Sequence, residues 1–116
     1  MLIIEDEAMI ALDLEYLLAS EGATSFAFAA SEIEAVALAQ DQRPDVITSD
    51  VTLLEGTGPA AVATIRAMMG SIPVIYISGT SPDRCAAEIS TWAITKPLDR
   101  SVVVEIFRDI YRSLAF

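Results

Sequence analysis

The sequence contains no histidine, one lysine (Lys96) and one cysteine (Cys85) in 116 residues. Without histidine there is no zinc site of the usual imidazole type and no histidine-based acid–base catalysis. A lone cysteine cannot form an internal disulfide, which fits a reducing cytoplasm. Positive charge is also scarce, with 7 basic residues against 17 acidic ones and a formal net charge of −10. A nucleic-acid-binding face needs many cations against phosphates, and this chain cannot build a large one. No apolar run approaches the roughly 20 residues that cross a bilayer, and no charged segment leads into an apolar stretch with a cleavage site. The expectation is a cytoplasmic protein that meets neither membrane nor nucleic acid. The hydrophobic fraction of 53% is high enough to exclude a disordered segment and to furnish one core.

Strand-like and helix-like segments alternate along the chain. Met1 to Ile4 reads as strand one, and Ala8 to Glu21 as a helix carrying Met9, Leu12, Tyr16 and Leu17 at helical spacing before Gly22. Thr24 to Phe28 reads as strand two. Ser31 with Glu34 three residues on forms a capping box, opening a helix with Ile33, Val36 and Ala37 on one side. Val46 to Thr48 is strand three. Gly56 and Gly58 mark a loop, and Pro59 suits the first turn of a helix running to about Met69. Val74 to Ile77 is a β-branched and aromatic run, strand four. Thr80-Ser81-Pro82 opens a short helix, Trp92 to Thr95 is strand five, and Ser101 to Leu114 is the last helix, with Val104, Phe107, Ile110 and Tyr111 facing inward. Five such units predict an α/β fold: a parallel five-stranded sheet of order 2-1-3-4-5 with helices on both faces. They account for residues 1–116 as one domain and leave no segment for an output domain.

In parallel α/β sheets the chemistry gathers at the carboxyl ends of the strands. Strand one ends in Glu5-Asp6-Glu7, strand three in Asp50, strand four in Ser78-Gly79-Thr80 and strand five in Lys96-Pro97. Carboxylates in a cluster suit a hard divalent cation such as Mg²⁺. One carboxylate among them can act as nucleophile toward phosphorus. A hydroxyl and a lysine can stabilise charge on phosphoryl oxygens. Each element alone has a plainer role. Asp6 could cap the first helix, Asp50 could be a turn residue, Ser78 a strand-end hydroxyl and Lys96 a solubilising charge. All four at these strand ends, in this order, are specific.

The chain resembles a response-regulator receiver domain. The resemblance is carried by Leu2-Ile3-Ile4-Glu5-Asp6-Glu7, Pro44-Asp45-Val46-Ile47-Thr48-Ser49-Asp50 with Gly56 and Gly58, Pro73-Val74-Ile75-Tyr76-Ile77-Ser78-Gly79, and Thr95-Lys96-Pro97-Leu98. The segments around Glu5-Asp6 and Thr95-Lys96-Pro97 are similar to receivers of alphaproteobacterial stress and light-response signalling. The resemblance implies a non-enzymatic single-domain response regulator. Its Asp50 would take a phosphoryl group from a sensor histidine kinase or a small acyl phosphate. Mg²⁺ would be held by Asp6, Asp50 and the Thr52 backbone carbonyl, with Glu5 acting largely through water. Ser78 and Lys96 would contact the phosphoryl group, and the Lys96–Pro97 bond would be cis. A downstream partner would meet the face made by the short helix after strand four, strand five and the last helix. The chain departs from the family pattern at Ala93, where an aromatic usually precedes the lysine by three residues; Trp92 alternates to the other face, and Tyr76 is another candidate ring. Three other readings compete. A pseudo-receiver would bind a partner without phosphorylation, but it normally lacks an acidic residue or the lysine. An aspartyl phosphatase wants a second Asp where Thr52 stands. A dinucleotide-binding domain wants a glycine-rich turn where Glu5-Asp6-Glu7 stands.

Overall fold

The fold was analysed in a computed structural model, which describes residues 1–51, 53, 56–78, 91–95 and 99–114. Its elements run β1 (Leu2–Ile4), α1 (Ala8–Ser20), β2 (Ala27–Ala29), α2 (Glu32–Asp41), β3 (Ile47–Asp50), α3 (Gly58–Met69), β4 (Val74–Ser78), β5 (Thr91–Thr95) and α4 (Arg100–Leu114). The five strands form one parallel sheet of order β2-β1-β3-β4-β5. Its α/β architecture is the one expected. The short helix expected to open at Thr80-Ser81-Pro82 lies outside the described residues.

Strand alternation divides the core in two. Leu2, Ile4, Ile47, Val74 and Tyr76 pack with Ala35, Ala39, Ala61, Val62 and Ile65 of α2 and α3. Ile3, Ile75, Ile77 and Ile94 point the other way, onto Leu14, Leu18, Phe107 and Ile110 of α1 and α4. Full burial of each Leu, Ile or Val contributes about 1.5–3 kcal/mol, so these two layers hold the strand ends rigidly. Trp92 packs with the α1/α4 layer and Ala93 with the α2/α3 layer, as alternation requires.

Local signals set the helix ends. Ser31 Oγ accepts from the Glu34 backbone N–H at 3.2 Å, and Glu34 Oε1 accepts from the Ala30 N–H at 2.8 Å. The reciprocal cap forms, with the glutamate reaching one residue beyond the serine. The Thr57 hydroxyl caps α3 by accepting from the Ala60 N–H at 3.2 Å, and Pro59 occupies the first turn. Past α1, Gly22 takes φ 107°, and the Ala23 N–H bonds the Leu18 carbonyl at 3.1 Å. Asp99 precedes α4 and accepts from the Ser101 hydroxyl at 2.6 Å and the Ser101 N–H at 2.9 Å. The Ser101 hydroxyl first, then the Ser101 and Val102 N–H groups, hold its carboxyl below the usual carboxylate range.

Three helix faces differ from the sequence expectation. In α1 the buried line is Ala11, Leu14, Leu17 and Leu18, while Met9, Leu12 and Tyr16 are 81%, 60% and 69% exposed. In α2 the small residues Ala35 and Ala39 meet the sheet and Ile33 points to solvent. In α4 Val103 is buried rather than Val104, and Tyr111 is exposed. Strand two is also later and shorter than Thr24 to Phe28, because its pairing with β1 begins at Ala27.

Thr48 lies in the middle of β3, buried at 1% exposure. Its hydroxyl has no hydrogen-bond partner among the described residues. A buried hydroxyl without a partner is destabilising. Thr48→Val keeps the shape and removes the oxygen, so it is expected to raise unfolding free energy by about 1 kcal/mol. Urea melts of the two proteins check this, and a lower midpoint for the valine variant would contradict it.

Candidate phosphoacceptor site

The sheet brings the ends of β1 and β3 together, because the two strands pair directly with Ile4 opposite Ser49. The chain leaving β1 turns sharply. The Glu5 N–H is still in the ladder, donating to the Ala29 carbonyl at 2.9 Å. Glu5 Oε2 accepts from the Glu7 N–H at 3.3 Å, which pins the turn into α1. Glu5 and Asp50 are buried at 6% and 7% exposure, and Asp6 is half-buried. One carboxylate oxygen from each of Glu5, Asp6 and Asp50 lies within 4.8 Å of the others.

Two plainer roles are thereby excluded. The N-cap position of α1 falls on Glu7, not Asp6. Asp50 is the last residue of β3, paired with Ile77, and not a turn residue in a solvated loop. Two carboxylates 4 Å apart repel by about 1 kcal/mol in water and about 4 kcal/mol at the effective dielectric of a protein surface. Holding three such groups together creates strong local attraction for a cation. The donors are all hard oxygens, which suits a divalent cation of the magnesium or calcium class.

The structure therefore brings together Glu5, Asp6 and Asp50. Ser78 ends β4, whose neighbour β3 ends in Asp50. The Thr52 carbonyl, Lys96 and the Lys96–Pro97 bond lie outside the described residues.

The structure adds residues the sequence did not single out for the site. Ser49 Oγ donates to the Asp50 carbonyl at 3.0 Å, and the first residue of α3, Gly58, packs on the same carbonyl. A groove of about 310 Å³ opens beside the acids, walled by Ala8, Ala11, Leu12, Phe28 and Ala30 and edged by Glu34. Among the described residues no helix is long and apolar enough to cross a membrane.

Comparison with known proteins agrees with this fold. The chain is 36% identical over 78 residues, 66% of its length, to the phyllosphere-induced regulator PhyR of Methylorubrum extorquens, and the match spans 29% of that protein. The solution structure of the Erythrobacter litoralis PhyR receiver domain superposes with a TM-score of 0.83 at 29% identity, covering 96% of this chain and 88% of that one. A crystal structure of a mutant of the anti-anti-sigma factor PhyR from Bartonella quintana gives a TM-score of 0.84 at 28% identity, covering 99% of this chain and 49% of that one. This chain thus spans about half or less of the longer proteins it matches. The family model of the response regulator receiver domain matches residues 1–108, and the chain belongs to that family.

Proposed function

We propose that this chain is a phosphorylation-controlled receiver in which Asp50 accepts the phosphoryl group. The observation that carries the reading is the convergence of Glu5, Asp6 and Asp50 at the paired ends of β1 and β3. An Asp50 carboxylate oxygen forms the new O–P bond. The donor's P–N bond breaks if it is a phosphohistidine, and its P–O bond if it is an acyl phosphate. The electron pair leaves with the imidazole, which takes a proton from water, or with the donor carboxylate. Mg²⁺, held by Glu5, Asp6, Asp50 and the Thr52 carbonyl, would neutralise charge on the transferring oxygens. Ser78 and Lys96 would bind those oxygens from the ends of β4 and β5. The chain's part is to present the nucleophile and hold the acids around it. The test is incubation with a small acyl phosphate or phosphoramidate, with and without Mg²⁺, followed by intact mass. One added phosphoryl group that disappears on chelation supports the reading; no addition with either donor refutes it.

Metal binding should also appear as stability. A ligand at a hundredfold excess over its Kd stabilises by about 2.7 kcal/mol, a rise on the order of 10 °C in melting temperature for a domain of this size. Saturating Mg²⁺ is expected to produce such a shift, and Asp6→Asn is expected to lose most of it. Equal shifts in the two proteins would remove Asp6 from the metal site.

A sensor histidine kinase would supply the phosphoryl group. The donor must lay its histidine against Asp50 and therefore covers the rim of the site. Met9, Leu12 and Tyr16 give that rim an exposed apolar line. The Arg100 guanidinium stands 5.9 Å from the Tyr16 ring centroid, which extends the rim to the start of α4. Tyr16→Asp is expected to slow transfer from the cognate kinase at least tenfold while leaving uptake from phosphoramidate unchanged, about 1.4 kcal/mol of docking energy. Transfer rates from a panel of autophosphorylated kinases of the source organism check this, and equal loss with both donors would contradict docking. The output would be a protein contact, in keeping with the acidic surface. The similarity to an anti-anti-sigma factor supports a protein partner in transcriptional control.

A further inference from the structure

Charge is distributed unevenly along the chain. The first lysine or arginine is Arg43, so β1, α1, β2 and α2 carry carboxylates and no basic side chain. The groove of about 310 Å³ beside the acids is lined entirely from this segment. It has apolar walls and an acidic edge. Phe28 pairs with Ile3 and so alternates to the face of the sheet that packs on α1. β2 is an edge strand, and α1 leaves Phe28 exposed at 40%, on the same groove as the exposed Leu12. The Phe28 ring stacks on Phe26 with centroids 6.5 Å apart, and Phe26 packs against the α1/α4 layer. The ring is thus held in place before any partner arrives. Glu5, Asp6 and Glu34 supply the acidic edge.

Exposed apolar surface rimmed by polar groups marks a contact site. The volume stands at the lower limit of small-molecule pockets, which suits an anchoring side chain better than a whole cofactor. The single sign of charge selects the occupant. Nucleic acid and anionic lipid surfaces are repelled. A second copy brings a net charge of −10, and on its α4 Arg108 and Arg112 are already paired with Glu21 and Asp109. A cationic segment of another protein is attracted, and its apolar face can cover Leu12 and Phe28.

We infer that this groove docks a cationic amphipathic segment of a partner protein, with an apolar side chain seated between Leu12 and Phe28 and lysines or arginines facing Glu5, Asp6 and Glu34. The inference goes beyond the phosphoacceptor reading, in which Phe28 and Glu34 have no part.

The probes are three synthetic helical peptides of equal length. One has a leucine face and a lysine face, one has the same leucines with glutamates, and one has the lysines with serines in place of leucines. Affinity is read by fluorescence anisotropy with chelator present, and the site by amide NMR shifts. The leucine–lysine peptide is expected to bind about tenfold or more tightly than the serine–lysine peptide, and the leucine–glutamate peptide not to bind. The largest shifts are expected at Ala8, Leu12, Phe28 and Ala30. Phe28→Ala is expected to weaken binding about tenfold or more, and Phe28→Leu to restore most of it. Both variants are expected to fold, by thermal melt, and to keep the parent's phosphoryl uptake. Equal affinity for the serine–lysine peptide, or displacement by equimolar spermine, would reduce the groove to general charge attraction and overturn the inference. So would shifts centred elsewhere, undiminished binding by a folded Phe28→Ala, or a dimer of the chain alone that shifts the same amides. Failure of the parent to take up phosphate overturns the acceptor reading and leaves this inference standing on the peptide data.

Discussion

Asp50→Asn is expected to take up no phosphoryl group from any donor, under conditions where the parent protein is fully labelled. The amide keeps the size of the side chain and its place at the end of β3, but it cannot supply the anionic oxygen that attacks phosphorus. Glu5 and Asp6 remain in the cluster, so the variant also asks whether another carboxylate can substitute. Neither is expected to, because each is displaced from the β3 terminus and is placed to face a cation. Asp45→Asn is the matched control. Asp45 is exposed and precedes β3, at the opposite end of the sheet from the acids, so its loss should leave uptake intact. Intact mass spectrometry after incubation with phosphoramidate and Mg²⁺ distinguishes the outcomes. Undiminished labelling of Asp50→Asn would remove Asp50 from the role.

Gly58→Ala is expected to be among the most damaging single-methyl changes in the molecule. A β-carbon at this position would fall on the Asp50 carbonyl oxygen and the Ser49 hydroxyl, well inside contact distance. The obstacle is backbone of a buried strand, which cannot move aside as a flexible side chain would. The Gly58 N–H also donates to the Val51 carbonyl at 3.2 Å, so α3 cannot retreat without losing that bond. Overpacking of this kind costs about 1–3 kcal/mol, or roughly 4–12 °C in melting temperature. The same displacement would shift Asp50 relative to Glu5 and Asp6, so the metal-dependent rise in stability should shrink together with phosphoryl uptake. Thermal melts with and without Mg²⁺ check both. A variant that melts like the parent would show that the close approach of α3 to β3 is not structural.

The sheet and the acids were legible in the sequence for definite physical reasons. Val74-Ile75-Tyr76-Ile77 can pack only as a strand buried on both sides, and Gly and Pro punctuate the chain between elements. Glu5, Asp6 and Asp50 are visible because acidic residues rarely end apolar strands without a purpose. Helix faces were less legible. Around α1 the chain is apolar on nearly every side, and Met9, Leu12 and Tyr16 show the same spacing as the line that is actually buried. The sheet selects Ala11, Leu14, Leu17 and Leu18 because that line lies against Ile3, Ile75 and Ile77, a choice no periodicity within the helix can make. In α2 the selection goes to Ala35 and Ala39 because small side chains let the helix approach β1 and β2 closely. Ser49 and Gly58 were invisible as site residues for a different reason. Both act on a backbone carbonyl, and neither residue type announces such a contact in sequence.

The central claim is that a single carboxylate, at the end of β3, becomes an acyl phosphate. Reduction of the phosphorylated parent protein with borohydride converts an aspartyl phosphate to homoserine, and peptide mass spectrometry then reads its position. The expected result is homoserine at position 50 alone, formed only in samples phosphorylated with Mg²⁺ present. Homoserine at position 6 or 45, or a phosphoryl group that survives borohydride on Ser49, Ser78 or another hydroxyl, would contradict the account.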